Sequence, residues 1–175
     1  MLAFAAADLG HAGAPWMAGA SALACGLHAW RFARWRGWRT TPEPLLWTLH
    51  LGYAFLIAAI GLRGASALGT LIPPDAWVHL FTLGALGMTK MGLMTRVALR
   101  HTGRAMKVPR PMLAAYGMVF AAALLRLAYA VHHPGEAVLA LSALLWALAF
   151  ALYLFCFAAA LLRPSLPRAG ATPSR

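Results

Sequence analysis

The sequence predicts an all-α membrane protein: one bundle of five transmembrane helices, with the N-terminus outside and the C-terminus in the cytoplasm. The 175-residue chain is 62% hydrophobic and has a mean hydropathy of +0.69, whereas a soluble domain is about half apolar. Its apolar residues fall into five segments, each close to the roughly 20 residues that cross a bilayer core. Its Lys and Arg residues lie almost wholly in loops on alternate sides of these segments.

The first two predicted helices are joined by a strongly basic loop. A short tail precedes helix one, which we expect over about residues 14–32, with Pro15 in the first turn, where a missing N–H is tolerated. Helix two is expected over about residues 44–62, after a pair of prolines. The loop between them mixes arginines with tryptophans, as is typical of a membrane interface: Trp30, Arg31, Arg34, Trp35, Arg36, Trp38 and Arg39.

Three more helices complete the predicted bundle, which spans residues 1–163 as a single domain. Helix three, over about 76–99, follows Pro73-Pro74, and helix four covers about 111–131. The sequence HHPG from His132 predicts a tight turn into helix five, over about 136–162. Residues 164–175 are basic and rich in proline, and we expect a disordered tail.

The distribution of basic residues predicts the orientation. The loop after helix one, the loop after helix three and the C-terminal tail are basic, whereas the other side has only Arg63. Positive loops stay in the cytoplasm, so we expect a multi-pass protein of the bacterial inner membrane. Asp8 and the lack of Lys or Arg in the first ten residues argue against a signal peptide. The net charge of +11 is therefore a topology signal, and no nucleic-acid partner is expected.

Helix three carries polar residues along an apolar span, in the sequence WVHLFTLGALGMTKMGLMTRVALRHTGR from Trp77 to Arg104. At about 100° per residue, His79, Lys90 and His101 would share one face of this helix. Its glycines remove bulk, which allows a neighbouring helix or a flat ligand to come close.

This stretch resembles the signature of the NnrS family, polytopic membrane proteins that bind haem and copper and act in nitric-oxide stress. Further similarity lies in HAWR from His28, WRT from Trp38, PLLWTLHLGYAFL from Pro44 and LSALLWALAF from Leu141. The resemblance covers roughly residues 25–164. Family members are considerably longer, so the chain resembles only their C-terminal part. The resemblance implies haem b, and copper as a further cofactor, in a protein that protects against nitrosative stress.

His50 is the leading candidate for a haem or metal ligand. It lies among apolar residues in helix two, and an imidazole in a membrane needs a partner. Neutral imidazole binds haem iron or copper. Trp47 and Tyr53 are three residues away on either side, so they share its face and could flank a porphyrin or contact a bound ligand. The alternative is a histidine that hydrogen-bonds to a neighbouring helix.

The other candidate residues lie nearer the ends of the helices. His79 would be an interfacial histidine by position, but the resemblance implies a metal or haem ligand. His28 could be a further ligand or could reach the interface beside Arg31. His101 could contact a haem propionate or only backbone. Arg96 and Arg104 could pair with propionates, or could simply be topology charges.

Lys90 lies near the middle of helix three, where placing a charge in the bilayer costs free energy. A charged residue at such a position usually has a functional role. Lys90 could deliver protons towards a buried cofactor, hydrogen-bond a bound diatomic, or contact a missing partner chain. The resemblance leads us to expect an apolar or hydroxyl residue at this position. Three methionines of the same helix could bind copper(I) but could equally be packing residues: Met88, Met91 and Met94.

Three functions remain open at this point. The first is a haem protein that binds nitric oxide or turns it over. The second is a bis-histidine cytochrome that transfers electrons. The third is a cofactor-free structural or assembly module, which would form a homo-oligomer or pair with a second membrane subunit. All three place the chain among membrane lipids.

Overall fold

The computed structural model describes residues 2–10, 13–35, 37, 43–69 and 72–165. Seven α-helices and one π-helical stretch make up its regular structure. The bounds are α1 Leu2–Leu9, α2 Ala14–Arg34, α3 Pro44–Ala67, α4 Ala76–His79, the π-helical stretch Leu80–Leu86, α5 Gly87–His101, α6 Arg110–His132 and α7 Glu136–Leu162. We call the continuous run from Ala76 to His101 the central helix.

The all-α class is confirmed in the described residues, and the long helices lie where the sequence has its five apolar segments. Helix α1 falls in what the sequence suggested was a plain tail. Three described helices, α3, α6 and α7, are long and apolar enough to cross a membrane. Helix α2 ends in two arginines, and the π-helical stretch divides the central helix, which also carries Lys90 and Arg96. The count of five spans and the orientation therefore stay predictions.

The helices pack in chain order. Helix α2 lies against α3, α3 against the central helix, the central helix against α6, and α7 against α6 and α5. Glycines allow the closest of these approaches, because a Cβ on Gly52 would collide with Thr89, one on Gly84 with Phe55, and one on Gly92 with Thr48. These contacts show that α3 and the central helix are antiparallel, and they identify which residues of the two helices lie opposite each other.

The core lies where the central helix, α6 and α7 meet. Met88, Met91, Tyr116 and Val119 have no exposed surface, and Phe157 of α7 joins them. The outer face of α7 is apolar but exposed, with Phe155 80% accessible. In water such a face would be unstable, so we assign it to lipid.

Charged residues separate to the two ends of the bundle. Arg34, Arg100 and Arg110 mark one end, which we call the basic end. Asp8 and Glu136 lie at the opposite end, where Asp8 pairs with Arg63 at 2.8 Å. Arg36, Trp38, Arg39 and the predicted tail beyond residue 165 lie outside the described residues.

The expectation that His79 and Lys90 share a face is wrong. The two are separated by the π-helical stretch, whose i→i+5 turns are wider than those of an α-helix and rotate the following residues to a new phase. As a result His79 is half-buried against α6, whereas Lys90 is exposed.

Candidate functional site

An apolar groove of about 490 Å³ lies between α3 and the central helix, and Trp35, which follows α2, lines its basic end. We call it the His50 groove. Residues of α3 form one wall, and residues of the central helix form the other: Leu49, His50, Gly52 and Tyr53 face Phe81, Ala85, Leu86 and Thr89. Its volume is in the range of sites that hold small molecules and cofactors.

His50 is the chief polar residue of this groove. Its Nδ1 lies 2.8 Å from the carbonyl oxygen of Leu46, one turn earlier in α3. A carbonyl only accepts, so Nδ1 carries the proton, and Nε2 is the nitrogen that remains to bind a metal. Gly37 lies against this edge of the ring, where an added Cβ would come within 3.1 Å of Nε2. Imidazoles that bind metals are oriented in this way, with the other ring nitrogen donating to a backbone carbonyl.

Five rings from α2 and α3 surround this end of the groove, and we call them the aromatic cluster: His28, Phe32, Trp35, His50 and Tyr53. The Trp35 ring lies 4.8 Å from that of Tyr53 and 5.9 Å from that of His50. The Tyr53 hydroxyl hydrogen-bonds to Nδ1 of His28. The cluster holds His50 and Tyr53 in defined positions at the groove wall.

Arg96 lies on α5 towards the basic end and does not itself line the groove. It follows Thr89 by seven residues, about two helical turns, so the two share a face of α5. The Arg96 side chain is half-buried. A cation therefore lies beyond the polar end of the groove, on the groove side of α5.

His79 lies at the opposite end and belongs to a different group of residues. An Nη of Arg126 donates to Nε2 of His79 at 2.9 Å, and a carboxylate oxygen of Asp75 is 3.5 Å from the same nitrogen. Phe55 faces Gly84 and Thr48 faces Gly92, so His79 is about ten residues, or roughly 15 Å, from the level of His50. The structure does not bring His50 and His79 together.

The remaining candidates lie outside the groove lining. His101 is exposed at the end of α5, and its carbonyl accepts a hydrogen bond from Ser165. Nη1 of Arg104 is buried and has no hydrogen-bond partner within the described ranges. Lys90 is exposed on the outer face of α5. His132 and His133 are exposed in the turn before α7.

The methionines and cysteines are packing residues in this structure. Met88 and Met91 are fully buried in the core, and Met94 packs against it. Cys25 of α2 and Cys156 of α7 are half-buried on different helices. Among the residues that the structure describes, no three His, Cys, Asp or Glu side chains group as a metal site.

Two features were not anticipated from the sequence. Phe32 and Trp35 join the site because they follow His28 by four and seven residues and so share its face of α2. That spacing could have been read from the sequence. The pairing of Arg126 with His79 could not, because these residues lie 47 positions apart on different helices.

Comparison with known proteins gives one match. A family model described as NnrS protein matches residues 1–165 of the chain. No curated protein and no solved structure shows a significant match.

Proposed function

The chain belongs to the NnrS family, and from this premise we propose that it binds haem b in the His50 groove and handles nitric oxide. Family membership associates the chain with the membrane and with nitric-oxide stress. The proposal adds the cofactor, its position and the diatomic ligand, with protection against nitrosative stress as the outcome.

The observation that carries the proposal is the state of His50. Its Nδ1–H is used by the Leu46 carbonyl, so Nε2, the edge of the ring beside Gly37, would be the ligand atom in a groove that is otherwise almost wholly apolar. Neutral imidazole is a common axial ligand of haem iron. The apolar walls and the rings of Trp35 and Tyr53 suit the flat, largely apolar porphyrin.

The acidic edge of the cofactor would face the basic end. Arg96 lies two turns below Thr89 on the groove side of α5 and would pair with a propionate. Arg31, whose guanidinium lies 5.0 Å from the centre of the Trp35 ring, is a second cation close to the groove. An apolar groove with cations near one end would suit haem b, which has an apolar ring and acidic propionates.

A single imidazole would hold the group, which would leave the iron able to take a small ligand. Within the described residues, His50 is the one imidazole that lines the groove, and His79 is roughly 15 Å away by helix rise. When bound, haem iron would supply the atom that a diatomic such as nitric oxide occupies. The residues of this chain would hold and orient the cofactor and exclude water.

The membrane arrangement is part of the proposal. We assign five spans to α2, α3, the central helix, α6 and α7, with the basic end in the cytoplasm of a bacterium. The His50 groove then opens to the cytoplasmic half of the bilayer. We do not extend the proposal to copper, because Met88 and Met91 are buried in the core.

A cofactor-free membrane module is the second candidate. It is favoured by the hydrogen bonds of His28 to Tyr53 and of His79 to Arg126, which resemble structural contacts between helices. A bis-histidine cytochrome has less support, because His50 and His79 are too far apart to bind one iron and His28 does not line the His50 groove.

The deciding experiment is an absorption spectrum of the protein purified in mild detergent, oxidised and dithionite-reduced, with and without nitric oxide, together with iron analysis. We expect a reduced haem band that shifts with nitric oxide and is lost in His50→Ala, while the exposed-residue control His132→Ala keeps it. A haem band indifferent to nitric oxide would favour the cytochrome. Protein without haem after haem-replete expression would favour the cofactor-free module.

A further inference from the structure

On the five-span arrangement proposed above, Lys90 lies near the middle of the membrane, on an exposed strip of α5. Two apolar residues at helical spacing share this strip: Leu93 and Val97, which are 51% and 45% accessible. We call these three residues the Lys90 stripe. Lys90 does not line the His50 groove.

The Lys90 ammonium is too deep to reach water at either end of the helix. The central helix continues for eleven residues to His101 and extends fourteen residues back to Ala76, or about 16 and 21 Å at the usual rise. The lysine stem spans only roughly 6 Å. A lysine within one or two turns of a helix end can reach the interface, but one at this depth cannot.

None of the four Asp and Glu side chains, all of which lie in the described ranges, pairs with Lys90. Of its four acidic residues, three are engaged at the opposite end: Asp8 with Arg63, Asp75 beside His79, and Glu136 with Tyr129. The fourth, Glu43, precedes α3. Because Thr48 faces Gly92, Glu43 is about 10 Å from the level of Lys90 along the helix axis.

A second copy of the chain would not solve the problem. Copies that share one orientation in the membrane keep every residue at the same depth, so a symmetric contact through the stripe would place the two Lys90 side chains opposite each other, with like charges in contact. Glu43 precedes α3 and is not on the stripe. A carboxylate that meets the stripe is therefore expected on a different chain. In a low-dielectric bilayer, an opposite charge at the depth of Lys90 is the group that stabilises the ammonium most.

We propose that the Lys90 stripe is the docking surface for a transmembrane helix of another membrane protein that carries one Asp or Glu near its midpoint. Leu93 and Val97 pack against the apolar side chains of that helix, while Lys90 pairs with its carboxylate. The charge pair sets the depth and the partner choice, and the apolar residues supply the contact area. The proposal rests on the five-span arrangement proposed above, and does not require haem in the His50 groove.

The test uses the full chain reconstituted in phosphatidylcholine vesicles with a synthetic leucine–alanine transmembrane peptide. One peptide carries Glu at its centre, and the matched peptide carries Gln. Association is measured by energy transfer between a dye on the peptide and a dye at the C-terminus of the protein. We expect the Glu peptide to bind about tenfold more tightly than the Gln peptide, and Lys90→Met to abolish the difference. Lys107→Met, a change in the exposed loop after α5, should preserve it.

Equal binding of the two peptides, or an unchanged preference in Lys90→Met, would overturn the proposal. Circular dichroism checks that Lys90→Met keeps its helices, which we expect because the Lys90 side chain is exposed. A photo-crosslinker at Leu93 in native membranes is a second measurement. A heterologous adduct that disappears in Lys90→Met agrees with the proposal, whereas a dimer of the chain, or adducts with lipid alone, contradicts it.

Discussion

The hydroxyl of Tyr53 is hydrogen-bonded to Nδ1 of His28, and this bond joins α2 to α3 at the wall of the His50 groove. Trp35 covers the same tyrosine ring at a centroid distance of 4.8 Å. Helix α2 otherwise packs mainly on α3 and on α1. The hydrogen bond therefore adds a specific polar contact to the extensive packing of α2 on α3, beside the end of the groove that Trp35 lines.

Breaking this bond should weaken the attachment of α2. We expect Tyr53→Phe and His28→Gln each to lower the free energy of unfolding by about 0.5–1.5 kcal/mol. Because they remove the same interaction, the double variant should be little worse than either single variant. Denaturation in mixed detergent micelles measures these values, and strictly additive losses would show that the two side chains do not interact.

The glycine contacts between α3 and the central helix should tolerate no added carbon. A Cβ on Gly52 would approach the backbone of Thr89 to 3.1 Å and the Ala85 carbonyl to 3.2 Å, so Gly52→Ala should destabilise the protein by about 1–3 kcal/mol. Gly117 of α6 is the matched control, because nothing lies within 4 Å of an added Cβ. Gly117→Ala should be neutral or stabilising by up to about 1 kcal/mol. Thermal unfolding in detergent that affects both variants alike would contradict the packing of α3 on the central helix.

Removing His79 should affect stability and leave the haem spectrum unchanged. His79 accepts a hydrogen bond from Arg126 and is roughly 15 Å from the level of His50. His79→Ala leaves the half-buried Arg126 without this partner, at a cost of about 1–3 kcal/mol. The oxidised and reduced absorption bands should match those of the unaltered protein. Loss of the haem band in this variant would instead make His79 a ligand.

Arg96 should contribute to haem affinity without changing iron coordination. If it pairs with a propionate, Arg96→Gln should weaken haem binding about tenfold while the positions of the absorption bands stay the same. Arg163→Gln removes an exposed arginine after α7 and serves as the control for overall charge. Titration of apoprotein with haem measures both constants, and equal affinities in the two variants would remove Arg96 from the site.

The N-terminal helix α1 should depend on one ion pair. Asp8 and Arg63 are 2.8 Å apart, and their side chains are only 29% and 25% accessible. In Asp8→Asn we expect faster amide hydrogen exchange across residues 2–9, because the charge that holds α1 to α3 is lost. The change in global stability should stay below about 1 kcal/mol. Glu43→Gln, at the other end of the bundle, should leave exchange in α1 unchanged.

Hydropathy and charge patterns predict much of this fold because a bilayer restricts which backbone structures and which side chains a chain can place in it. In a bilayer, an apolar segment has no water to bond to its backbone N–H and C=O groups, so it pairs them within a helix. Helices α3, α6 and α7 begin within about one residue of the predicted positions. His50 and Tyr53 are recognisable for a similar reason, since a polar group among apolar residues needs a partner. The NnrS resemblance, carried by the residues between Trp77 and Arg104, is confirmed by the family match over residues 1–165.

The tertiary structure decided which of these residues act together. Placing side chains at 100° per residue is valid only for an unbroken α-helix. The π-helical stretch Leu80–Leu86 begins directly after His79, so the angles predicted for later residues do not hold. It turns His79 towards Arg126 and leaves Lys90 on the outer face. Sequence alone determined which segments are helices and which polar residues lie inside them, because both depend on local hydropathy. Contacts between residues far apart in sequence decide which helices pack together. They bring His50 to Trp35 and leave Lys90 without an Asp or Glu partner among the described residues.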